Sequence, residues 1–65
     1  MYHSNIKMLM EKKGRTLRGL AAEIGISDRT ILRARKHELI GLCKLETLGG
    51  IARALGVRTK DLYEE

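Results

Sequence analysis

Hydrophobic positions recur at helical spacing in several short stretches of this chain, most of them closed by a glycine. Ile6, Leu9 and Met10 stand at i, i+3 and i+4, which predicts a first helix running to about Lys13. Ser4 or Asn5 can cap it, and Gly14 supplies a left-handed stop. Leu17, Leu20, Ala21 and Ile24 repeat the period behind Thr16, an N-cap residue, and Gly25 ends that second helix. Gly19 inside it costs about 1 kcal/mol against alanine. Either its missing side chain permits close approach of a helix or a phosphate, or the position merely tolerates it.

Ser27 caps a third helix over 28–36, with Ile26 as a staple against Ile31 and with Ile31 and Ala34 on the inward face. Residues 37–43 hold Leu39, Ile40 and Leu42 without a firm period, which predicts a loop. A fourth helix spans roughly 45–55 with Leu45, Leu48, Ile51, Ala52 and Leu55 inward. Gly49 and Gly50 weaken it, and Gly56 closes it. A last turn, Thr59 to Tyr63, docks Leu62 inward before the tail frays.

These elements predict an all-α fold: a compact bundle of five short helices in one domain, residues 1–65, with its core at about 5–63. Leu20, Ile24, Ile31, Leu48, Ile51 and Leu55 are expected to share the core. A chain of 65 residues buries only about 60% of its unfolded surface, so stability should be modest.

The second and third helices are joined by Gly-Ile-Ser, the length and composition of a helix-turn-helix connection. Opposite Ile31 and Ala34, a helix through 36 carries Arg29, Arg33 and Lys36 at i, i+4 and i+7, with Arg35 toward the flank. That basic stripe lies where such a motif reads DNA. A net charge of +5, from 13 Lys and Arg against 8 Asp and Glu, favours an anionic partner. On these grounds two readings stand, a DNA-binding domain and a basic protein-interaction module.

Other chemistry finds little to work with. Tyr2 and Tyr63 are the only aromatics, too few for a sheet that stacks bases. His3, His37 and Cys43 share no metal-ligand spacing, so no metal site is expected. Cys43 reads as a small apolar residue at the start of the fourth helix. Phosphate-loop motifs are absent, and no catalytic residues, enzyme activity or cofactor are expected. No apolar run approaches 18 residues, and one cysteine suits a reducing compartment, so a cytoplasmic location is expected.

Three stretches give the chain a family likeness: RTLRGLAAEIGISDRTILR at 15–33, LETLGGIARALGV at 45–57 and KDLY at 60–63. Together they resemble the Cro/CI-type (lambda repressor-like) helix-turn-helix domains over about residues 5 to 63. The resemblance implies a helix-turn-helix formed by helices 2 and 3. It implies base contacts from Asp28, Arg29, Thr30 and Arg33 and a phosphate contact from Ser27, and Arg15, Thr16, Arg18, Arg35, Lys36 and Lys44 are expected to meet phosphates beside it. Asp28 can accept from cytosine N4 or can simply cap the helix dipole.

The implied partner is double-stranded DNA, a palindromic operator bound by a homodimer, and the implied role is that of a phage, plasmid or bacterial repressor. The alternative is an antitoxin-like module with a toxin or regulator protein as partner. Leu17 departs from the Gln common at its position and cannot donate to a phosphate, so Arg15 or Arg18 would have to replace that clamp. Candidates for a dimer seam are Leu39, Ile40, Leu42, Val57, Leu62 and Tyr63, with Tyr63 equally able to serve as a core lid.

Overall fold

The computed structural model describes all 65 residues. In chain order the elements are β1 (His3–Ser4), α1 (Ile6–Lys12), α2 (Leu17–Ile24), α3 (Asp28–Ala34), α4 (His37–Ile40) and α5 (Leu45–Leu55). A 3-10 turn (Thr59–Leu62) and β2 (Tyr63–Glu64) complete the chain. Five short α-helices therefore form the bundle, but the fifth is not the one the sequence pattern predicts. The terminal turn is 3-10, and the stretch expected to be a loop contains the one-turn helix α4. Four residues are too few to show a period, and α4 places Ile40 in the core.

The helix ends follow local chemistry. Thr16 Oγ1 accepts from the Gly19 N–H at 3.1 Å, and Ser27 Oγ accepts from the Thr30 N–H at 3.3 Å. Gly25 and Gly56 close α2 and α5 in the left-handed conformation, with φ of 82° and 73°. Asn5 occupies the first cap position without capping α1 through its side chain. Its amide instead donates to the Asp61 carbonyl and the Glu64 carboxylate, at 3.3 and 3.2 Å.

The core gathers Ile6, Leu9 and Met10 of α1, Leu20 of α2, Ile31 and Ala34 of α3, Leu48, Ile51 and Leu55 of α5, and Leu62. Ile24, expected inside, is half-buried against this cluster. Leu45 is a larger departure. It is 76% exposed in the first turn of α5.

The tail does not fray. β2 pairs antiparallel with β1 in the register His3 with Glu64 and Ser4 with Tyr63. Tyr2 and Tyr63 meet edge to face beside this ladder, their ring centroids 5.7 Å apart. Tyr2 also lies on Gly41, where a Cβ would come within 2.7 Å of its ring.

Candidate nucleic-acid interface

α2 and α3 pack on each other across the turn formed by Gly25, Ile26 and Ser27. Ala21 O accepts from the N–H groups of Gly25 and Ile26, at 2.8 and 3.1 Å, so the chain leaves α2 in a fixed direction. Ser27 then starts α3, and its hydroxyl also lies 2.9 Å from that of Thr30. Both hydroxyls are therefore held in place at the N-terminus of α3. Gly19 has a specific local use: a Cβ there would lie 2.8 Å from Thr16 Oγ1, the atom that caps α2. Neither another helix nor a phosphate approaches Gly19 here; the atom its missing side chain makes room for is the cap of its own helix.

Ile31 and Ala34 are wholly buried, which fixes the rotation of α3 about its axis. The exposed residues of the helix are Arg29, Leu32 and Arg33, and Asp28 and Thr30 are half-buried beside them. Arg29 and Arg33 have no acidic partner, since the one ion pair of the chain joins Arg15 to Glu23. Leu32 is not part of the stripe read from charge, although its place three residues after Arg29 already puts it on that face.

The stripe is also shorter than expected. α3 ends at Ala34, and Lys36 is the extended N-cap of α4, with ψ of 134°. Lys36 is thus exposed beyond the helix rather than two turns along its face. Arg35 is half-buried at the C-cap of α3. Lys44 is exposed at the N-cap of α5, and Arg18 is exposed in the first turn of α2.

Arg15 differs from the other cations. Its guanidinium donates to the Ala54 carbonyl at 2.8 Å and pairs with the Glu23 carboxylate, so it ties α2 to the end of α5. The C-terminal end of α3 is held as well. Ser4 Oγ donates to the Ala34 carbonyl at 2.7 Å, and the Ser4 N–H donates to His37 Nδ1 at 2.8 Å. The His3 and His37 rings stack with centroids 4.1 Å apart.

A second surface feature is apolar. Tyr2, Ile40, Cys43, Leu45, Leu48 and Tyr63 line a shallow groove. Leu42, which is 79% exposed, belongs to the turn between α4 and α5 on this side of the molecule. Of the residues expected at a dimer seam, Leu62 and Ile40 are buried in the core and cannot contribute. Leu39, Val57 and Tyr63 are half-buried, which leaves Leu42 as the exposed one. Burial pushes the Cys43 thiol up from its ordinary value, and the Arg33 charge pulls it partly back. Its S–H donates to the Leu39 carbonyl at 3.6 Å.

The compact bundle of short helices, two of them packed across a tight turn, is consistent with the helix-turn-helix class. Residues 5–64 match the model of the Cro/C1-type HTH DNA-binding domain, and the chain belongs to that family. Membership brings a DNA-binding regulatory function in general terms. No curated protein and no solved structure matches the chain.

Proposed function

We propose that this chain is a sequence-specific regulator of repressor type that binds a palindromic operator in double-stranded DNA. The observation that carries this reading is the outward face of α3, where Arg29 and Arg33 stand exposed without acidic partners. A major groove admits one α-helix, and the arginine fork matches O6 and N7 of guanine. α3 is then the recognition helix, with Arg29 and Arg33 on base edges and with Asp28 and Thr30 of its first turn at the rim. Thr16, Arg18 and Ser27 at the starts of α2 and α3 meet phosphates on one side, and Arg35, Lys36 and Lys44 meet them on the other. Arg15 leaves the phosphate set, because its guanidinium is already engaged.

Size argues for a pair. The longest extent of the domain is 28 Å, whereas half-sites on a two-fold operator lie about 34 Å apart. One copy covers one half-site, and the face bearing Leu42 and Leu45 is the apolar surface available for a second copy.

Selection from a random duplex library, followed by titration of the selected site at several salt concentrations, tests the reading. Neutralising four to six phosphates per copy gives a log–log slope of about −4 to −5 for each copy bound. Absence of duplex binding even at low salt would instead favour the antitoxin-like reading, for which the apolar groove is the supporting observation.

A further inference from the structure

Six large hydrophobic side chains are exposed, and they divide by surroundings. Tyr2 and Leu45 line the apolar groove, with Leu42 in the turn beside it, while Met1 and Met8 lie at the amino-terminal end and on α1. Leu32 is different. It stands 43% exposed on a face whose other exposed members are the cations Arg29 and Arg33. It is neither a member of the core nor part of the groove.

We propose that Leu32 is a specificity-determining side chain that packs on the 5-methyl group of a thymine in the major groove. The inference rests on the reading of α3 as the recognition helix. Among the base edges in that groove, thymine alone offers an apolar group. Ile31 and Ala34 fix the rotation of α3, so any surface that receives Arg29 and Arg33 also receives Leu32. Leu32 lies three residues after Arg29 and next to Arg33, so it faces base pairs between or beside those the arginines read. Leucine cannot satisfy a base-edge donor or acceptor. At a G·C pair it would therefore leave cytosine N4 or guanine O6 stripped of water, which discriminates against G·C as well as for T.

The test uses the selected duplex with each thymine replaced in turn by uracil, which removes the methyl and nothing else. One buried methyl corresponds to about a fourfold change in affinity. The wild-type chain should lose about that factor at one thymine of each half-site. Leu32→Ala should bind the thymine duplex more weakly and show no further loss with uracil there. Arg33→Ala should keep the uracil penalty while losing affinity for the selected site. A uracil penalty in Leu32→Ala equal to that of the wild type at every thymine would overturn the assignment, as would no penalty at any thymine in the wild type. Those results would leave the recognition helix standing if Arg33→Ala still loses the selected site. Failure of all variants and the wild type to bind duplex would overturn both. Leu32 is outside the core, so Leu32→Ala should still unfold in one cooperative transition well above the binding temperature, which separates a lost contact from a lost fold.

Discussion

The hydroxyl of Ser4 donates a 2.7 Å hydrogen bond to the carbonyl oxygen of Ala34, so the strand at the amino-terminal end closes the last turn of α3. A helix end buried without such a partner would leave a carbonyl unsatisfied. Ser4 also accepts from the Ile6 N–H at 3.4 Å and is itself buried, so no water can take over its role cheaply. Replacing Ser4 with alanine should lower stability by about 1–2 kcal/mol. For a domain of this size each kcal/mol moves the melting temperature by about 4–8 °C, and a calorimetric scan reads it directly. An unchanged melting temperature would show that the bond contributes nothing net.

Gly19→Ala should fail to bring the gain of about 1 kcal/mol that helix propensity alone would give. The new Cβ meets Thr16 Oγ1 at 2.8 Å and turns the cap away from its N–H. Thr16→Ala should cost about 1 kcal/mol in the native background and much less in the Gly19→Ala background. Urea titrations of the four chains close this cycle. Additive costs would mean that the cap survives the added methyl.

Arg15 and Arg18 should part company. Arg15→Ala should cost about 1 kcal/mol of stability through the lost Ala54 hydrogen bond, with little from its partly exposed ion pair. Its salt slope on DNA should match the wild type. Arg18→Ala should leave stability alone and flatten the slope by about one. Equal flattening by both would put Arg15 back among the phosphate contacts.

Arg33 should carry more sequence discrimination than any other charged side chain, with Arg29 next. Arg33→Ala should lose about 1–3 kcal/mol on a selected site and little on a scrambled one. Lys36→Ala should weaken both sites alike, because a phosphate contact holds no sequence information. If the two variants exchange these behaviours, α3 docks on DNA by another face.

Leu42→Lys combined with Leu45→Lys should leave folding within about 0.5 kcal/mol of the wild type, since both side chains stand in solvent. Binding to an isolated half-site should persist. Paired occupancy of the palindrome, followed by sedimentation with operator-length DNA, should disappear. Two copies of this variant on each palindrome, at wild-type affinity, would place the seam elsewhere.

What the sequence made legible was local. α2 and α5 begin and end at the residues that the apolar period, Thr16, Gly25 and Gly56 indicate, because caps and stops act over a few residues. Arg29 and Arg33 were readable for the same reason: Ile31 and Ala34, a few positions away, settle which side of α3 faces out. The departures depend on distant partners. α4 places Ile40 in the core, and β2 pairs with a strand at the other end of the chain. Arg15 finds Ala54 only after α5 has packed. Leu45 matched the inward period of α5, yet periodicity does not say whether anything lies opposite that turn. Lys36 left the stripe because α3 stops two residues early, at the point where Ser4 closes it.

The antiparallel register of β1 with β2 has a mechanical consequence. His3 pairs with Glu64 outermost and Ser4 with Tyr63 behind it, so tension drawn through the two ends peels the ladder one pair at a time instead of shearing it. Peeling of this kind resists little force. Once the ladder has parted, the load on the amino-terminal side arrives at Ser4, whose bonds to Ala34 and His37 tie it to the end of α3 and the start of α4. A pull on the amino terminus is thereby delivered to the end of the helix that bears Arg29, Leu32 and Arg33, while a pull on the carboxyl terminus falls on Leu62 in the core.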